Sequence, residues 1–177
     1  MDHINSEYGV MRDNLLPLSF INTNFKKEVV SLVAGRPRMG KSVFAWCLAA
    51  TLIRQKQRVL FFSLEMSKDQ VLKGLQRFGC NSNDMKSLFA IDDTPASTIS
   101  YMCQLLGRGK YNYIIVDDIQ LMSLPYLAKT RQEEMLHIIN GFKEMAKENN
   151  ISVILFAQIR KLMEYSHKND IRPRLED

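Results

Sequence analysis

The segment Gly35-Arg36-Pro37-Arg38-Met39-Gly40-Lys41-Ser42 matches the spacing G-x-x-x-x-G-K-[ST] at every fixed position. Such a spacing suits a polyphosphate. Its glycines let the backbone close on phosphate oxygens, successive N–H groups turn inward as an anion nest, and a following helix adds its positive end. Lys41 would reach the β- and γ-phosphates as a point charge, and the Ser42 hydroxyl would ligate Mg²⁺. The stretch from Gly35 to Val43 is therefore expected to bind ATP with Mg²⁺.

Two further segments bring carboxylates to strand ends. Asn112-Tyr113-Ile114-Ile115-Val116-Asp117-Asp118 is an apolar run closed by acids. A phosphate loop needs such an acid to hold Mg²⁺ through water, and Asp117 is expected to fill that role. An Asp pair at a strand end also commonly starts a turn or a helix. Phe61-Phe62-Ser63-Leu64-Glu65-Met66 likewise ends in an acid, just ahead of Ser67, where an exposed acid at a helix start would also stand.

These groups have to be positioned by regular elements. Runs rich in β-branched and aromatic residues at 29–34, 58–63, 88–91, 112–117 and 151–156 alternate with segments of helical period, the signature of βαβ units. They are almost continuously apolar, as parallel strands covered on both faces should be. The phosphate loop directly follows the first run and precedes a helical segment at 41–54, the strand–loop–helix order its chemistry requires. Ser67 with Gln70, and Thr130 with Glu133, read as capping boxes that each open a helix. The second of these helices would place Met135, Ile138, Ile139, Phe142 and Met145 on one core-facing side. Thr94-Pro95 is expected to open a third. Only the ends, 1–27 and 161–177, lack a clear period, and they read as arms or loops. The fold class is thus α/β, a mostly parallel sheet of at least five strands with helices on both faces.

A chain of 177 residues, 46% hydrophobic and 24% charged, suffices for a single domain with its own core. Cys47, Cys80 and Cys103 lie far apart, which suggests neither a disulfide framework nor a zinc site. The polar N-terminus, with Asp2 and Glu7, is unlike a secretory signal, and no apolar run reaches the length of a membrane span. A cytoplasmic protein with no membrane contact is expected. A formal charge of +5 is compatible with a nucleic-acid partner without selecting one.

The motifs together resemble the motor domain of DnaB-type replicative helicases. Ser63-Leu64-Glu65-Met66 is similar to that family's Ser-Leu-Glu-Met segment, and the stretch from Ala34 to Ser42 resembles its Ala-Arg-Pro-x-Met-Gly-Lys-Thr loop. Val116-Asp117-Asp118-Ile119-Gln120-Leu121-Met122 resembles its Ile-Asp-Tyr-Leu-Gln-Leu-Met, and Ala157-Gln158-Ile159-Arg160-Lys161 its Ser-Gln-Leu-Asn-Arg. Arg172-Pro173-Arg174-Leu175-Glu176-Asp177 looks like its Arg-Pro-x-x-x-Asp-Leu-Arg with a deletion. The resemblance implies a RecA-like fold over 28–177 that lacks the family's C-terminal strands, preceded by an N-terminal arm at 1–27. It makes Glu65 the general base, Asp117 the Mg²⁺ acid and Gln158 the sensor of the γ-phosphate, beside the catalytic Lys41. Each role is chemically apt: a carboxylate can orient and deprotonate water, and an amide can report a phosphate without adding negative charge. The chain departs from the pattern at three places. Asp118 stands where the family usually has an aromatic and leaves a rival base, Arg38 replaces a small residue, and Arg160 replaces an asparagine.

By the same resemblance the family works as rings, with ATP bound between neighbours and each site completed by a neighbour's arginine finger and a lysine. Those residues, and the primase-contacting domain, fall outside this sequence; Arg172 or Arg174 would be the stand-in for the finger. Single-stranded DNA would be held along its backbone by Lys129 and Arg131 in the loop after the Mg²⁺-acid strand. Arg160, Lys161, Lys168, Arg172 and Arg174, after the sensor, would add to that contact. Two functions follow as expectations. One is an ATPase that self-associates as a ring or filament on single-stranded DNA; the other is a shortened ATP-binding module that docks on a full-length helicase or replication partner without motor activity. A fragment of a longer protein is a third possibility.

Overall fold

The computed structural model describes residues 15–95, 97–107, 110–124 and 130–159. Within them lie five strands, β1 (Val30–Gly35), β2 (Val59–Ser63), β3 (Phe89–Asp92), β4 (Tyr113–Asp117) and β5 (Ser152–Gln158). Each falls within two residues of an expected apolar run. The helices are α1 (Leu18–Asn24), α2 (Lys41–Arg54), α3 (Lys68–Arg77), α4 (Ser82–Leu88), α5 (Ile99–Gly107) and α6 (Arg131–Asn149), with a 3₁₀ turn at Ile119–Leu121 after β4.

The strands form one sheet in the order β1-β5-β4-β2-β3. All four pairings are parallel, in keeping with crossover helices that return the chain to the same end each time. All five residues of β2 are buried, because helices cover both of its faces. One core lies where α2 and α3 meet the sheet through Leu48, Leu52, Phe61, Val71, Leu75 and Phe156. On the other face Phe62, Met102, Val116, Ile138, Phe142 and Leu155 pack under α5 and α6.

Local signals explain most boundaries. Gln70 Oε1 accepts the Ser67 N–H at 3.0 Å, the reach-back half of a capping box, and α3 follows. Thr130 Oγ1 accepts the Glu133 N–H at 3.2 Å and opens α6. On α6, Ile138, Phe142 and Met145 are buried, with Met135 and Ile139 packed beside them. Asn150 ends that helix in the left-handed region at φ 52°, which an asparagine tolerates. Gly74 lets α3 close on α2, since a Cβ built there would lie 2.4 Å from the Trp46 ring.

Two expectations need correction. Thr94-Pro95 does not open a helix. The Thr94 N–H donates to Asp92 Oδ1 at 3.1 Å and its carbonyl accepts from Ser97 Oγ at 2.8 Å, so the segment turns on the carboxylate at the end of β3. Helix α5 starts at Ile99, where Thr98 Oγ1 takes the Tyr101 N–H at 3.2 Å. The second correction concerns aperiodicity at the N-terminal end: residues 18–24 form α1, whose Ile21 is buried, as is the following Phe25.

Candidate nucleotide site

The loop from Gly35 to Lys41 joins the end of β1 to the start of α2. Gly40, at φ 82°, occupies the left-handed region at the helix N-cap, where a residue with a Cβ would be strained. The first bond inside the helix runs from the Phe44 N–H to the Gly40 carbonyl at 2.9 Å. Helix geometry therefore leaves the N–H groups of Lys41, Ser42 and Val43 without partners within α2, aimed toward the loop. Lys41 Nζ folds back over the same loop and donates to the carbonyls of Gly35 at 3.1 Å and Arg36 at 3.3 Å. Arg36, Pro37, Arg38 and Met39 are exposed along the rim.

Strand register brings the remaining groups to the same end. Ser63 pairs with Asp117 across β2 and β4, and Gly35 pairs with Gln158 across β1 and β5. The turn after β2 is tied down by the Leu64 N–H to the Asp117 carbonyl at 2.7 Å and by Ser63 Oγ to the Met66 carbonyl at 2.6 Å. That turn presents Glu65, which is exposed. Glu65, Gln158, Lys41 and Ser42 line one open cleft of about 420 Å³ with Pro37, Arg38, Gly40 and Val43.

Asp117 sits at the floor and is 1% exposed. Its Oδ2 has no hydrogen-bond partner among the described residues, while the Ser42 hydroxyl lies beside the carboxylate. Burial pushes its pKa up to about 6; Ser42 and Lys41 pull it down, and the neighbouring charges of Asp118 and Glu65 push it further up. Burial also raises Asp118, against the hydrogen bond it receives from Gln120. Asp118 Oδ1 accepts the Gln120 N–H at 2.9 Å, so this acid caps the 3₁₀ turn.

An orphaned, buried carboxylate oxygen beside a serine hydroxyl is a fitting donor set for a hard divalent cation, which takes oxygen ligands. Ser42 and Asp117 would hold Mg²⁺ here. When bound, the ion neutralises charge on the β- and γ-phosphate oxygens. The N–H groups of the first turn of α2 and the ammonium of Lys41 supply a matching electropositive lining.

Of the expected DNA-contacting residues only Arg131 is described, and it does not line this cleft. Arg131 lies at the start of α6 with its guanidinium engaged: Nη1 donates to the Met122 carbonyl at 3.0 Å and Nη2 to the Gln120 carbonyl at 2.7 Å. It also pairs with Glu134. Lys129, Arg160, Lys161, Lys168, Arg172 and Arg174 lie outside the described residues. Gln120 is a residue that sequence reasoning passed over. Its side-chain amide grips the backbone of Gln158, accepting the N–H at 2.7 Å and donating to the carbonyl. The only signal for it was its place in the quoted segment after the strand-ending acid.

A five-stranded parallel sheet of this order, with the phosphate loop leaving β1 and acids at the ends of β4 and β2, defines an α/β P-loop domain of the RecA-like kind. Comparison with known proteins narrows the class. The family model for the DnaB-like helicase C-terminal domain matches residues 14–87 and 75–177. The chain belongs to that family. It is 33% identical to the replicative DNA helicase DnaB of Rickettsia bellii over 191 aligned positions, covering 86% of this chain and 38% of the relative. It is 29% identical to a probable replicative DNA helicase of Trieres chinensis, covering 83% and 39% of the two chains. The chain thus spans about two fifths of the length of these curated relatives.

Two solved structures share the fold. The ATPase domain of G40P superposes with a TM-score of 0.74 at 20% identity, over 97% of this chain and 72% of that one. A DnaB-like replicative helicase, solved in a study of its interactions with primase, superposes with a TM-score of 0.68 at 24% identity, over 86% and 43%. Among the described residues no helix is long and apolar enough to cross a membrane.

Proposed function

We propose that this chain is the ATP-binding and ATP-hydrolysing motor domain of a replicative DNA helicase, acting in the cytoplasm on single-stranded DNA as a ring or filament of copies. The observation that carries the reading is the convergence of Lys41, Ser42, Glu65 and Gln158 on one cleft with Asp117 at its floor. In this reading Lys41 holds the β- and γ-phosphates, Ser42 and Asp117 hold Mg²⁺, and Gln158 contacts the γ-phosphate. Glu65 is preferred to Asp118 as the base that orients and deprotonates water. Glu65 opens on the cleft, whereas Asp118 is committed to the Gln120 N–H. The DNA contacts are assigned to Lys129, Arg131, Arg160, Lys161, Lys168, Arg172 and Arg174.

Steady-state ATP hydrolysis with and without single-stranded DNA, with Lys41→Ala as the blank, tests this. Hydrolysis that DNA raises and Lys41→Ala abolishes is the expected result. ATP binding with no turnover above the blank would overturn the motor reading in favour of a module that docks on a full-length helicase.

A further inference from the structure

The end of β5 carries a hydrogen-bonding problem that one side chain solves. The ladder between β4 and β5 runs from Tyr113↔Ser152 to Val116↔Leu155 and stops there, because the chain turns away after Asp117. Strand β5 continues to Gln158. Its next residue, Ile159, sends its N–H to the Gly35 carbonyl of β1 at 3.1 Å. Alternation along a strand then points the N–H and C=O of Gln158 the other way, into the space that β4 has vacated. The amide of Gln120 fills that space. Its Oε1 takes the Gln158 N–H at 2.7 Å and its Nε2 donates to the Gln158 carbonyl, so one side chain acts as the missing rung.

Gln120 is itself held from both sides. Asp118 Oδ1 takes its N–H at 2.9 Å and Arg131 Nη2 donates to its carbonyl at 2.7 Å. Arg131 is in turn paired with Glu134 on the first turn of α6. A continuous set of polar contacts thus runs from α6 through Arg131 and Gln120 to the backbone of Gln158, a residue that lines the cleft.

We infer that Gln120 is a positioning residue: by clasping both backbone groups of Gln158 it aims that side chain at the terminal phosphate and ties it to the segment leading into α6. The inference rests on the proposed reading of the cleft as a nucleoside-triphosphate site with Gln158 at the γ-phosphate. It assigns Gln120 no contact with the nucleotide.

A double-mutant cycle on nucleotide discrimination tests it. Affinities for ATPγS and for ADP, each with Mg²⁺, are measured by calorimetry on the wild type, Gln120→Met, Gln158→Ala and the double variant. The wild type is expected to prefer ATPγS. Gln158→Ala removes that preference, and Gln120→Met cuts it by about fivefold, the worth of roughly one hydrogen bond. The double variant is expected to match Gln158→Ala, since Gln120 acts only through it. A general loosening of the fold would weaken both nucleotides together and leave the ratio unchanged, which would overturn the inference. So would a ratio lost additively in the double variant. If Gln120→Met does not fold, Gln120→Glu carries the same readings, since it keeps an acceptor for the Gln158 N–H and loses the donor. A wild type that binds both nucleotides without preference would sink the role of Gln158 itself, a different result from a preference that survives Gln120→Met.

Discussion

The Ser42 hydroxyl lies beside the Asp117 carboxylate and lowers its pKa, bringing the first turn of α2 against the end of β4. That neighbour falls well short of solvating the acid, whose Oδ2 remains buried and unpartnered among the described residues. Without a cation the folded protein therefore carries a costly charge at this point.

The cost has a pH signature. Asp117 titrates near 6 in the fold against an ordinary value of 3.8, so between these limits the native state binds more protons than the unfolded one. Stability accordingly falls as pH rises through that window, and the penalty is complete above about pH 6. Asp117→Asn is expected to stabilise the nucleotide-free protein at pH 8 by on the order of 1–3 kcal/mol and to make little difference at pH 4. Urea unfolding at the two pH values checks this, and an equal effect at both would refute it.

Lys41→Ala removes the ammonium that now rests on the Gly35 and Arg36 carbonyls. A charge-assisted bond contributes about 1.5–3 kcal/mol, so ATP affinity should drop roughly tenfold to a hundredfold. Calorimetric titration reads this directly, and unchanged affinity would remove Lys41 from the site.

The two candidate bases separate by substitution. Glu65→Gln is expected to lower turnover by about a hundredfold or more while nucleotide affinity holds. Asp118→Asn keeps an oxygen acceptor for the Gln120 N–H and should change turnover by a small factor only. The reverse pattern in single-turnover hydrolysis would reassign the base to Asp118.

Gly74→Ala probes the seam between α2 and α3. The added methyl meets a tryptophan ring, which cannot move aside as a flexible chain end would. Overpacking of this kind costs about 1–3 kcal/mol, to be seen as a lowered thermal midpoint. Unaltered stability would mean that Trp46 has room to shift.

What the sequence revealed followed the strength of local signals. Buried parallel strands must be apolar along their whole length, so β1, β2, β4 and β5 stood out, and the phosphate loop is a contiguous string whose chemistry fixes its spacing. Helix α2 begins and ends where its period does. Thr94-Pro95 misled because a proline at a first helical turn and a proline in a turn look alike until Asp92 is seen to take the Thr94 N–H. Helix α1 was hidden because a seven-residue helix is too short to display a period. Gln120 could not be foreseen from position, since its partner is 38 residues away and meets it only because β5 lies beside β4.

The place of β5 in the sheet sets a timetable for the protein's own synthesis. It is the last of the described strands to leave the ribosome, yet it sits between β1 and β4 and, among the described residues, is the strand that attaches β1 to the sheet. A nascent chain that has emerged as far as β4 already carries the phosphate loop and Asp117, but lacks the strand that sets β1 in register beside β4. Until β5 emerges, β1 is an unpaired strand open to mispairing, and the loop it leads into is held only from the α2 side.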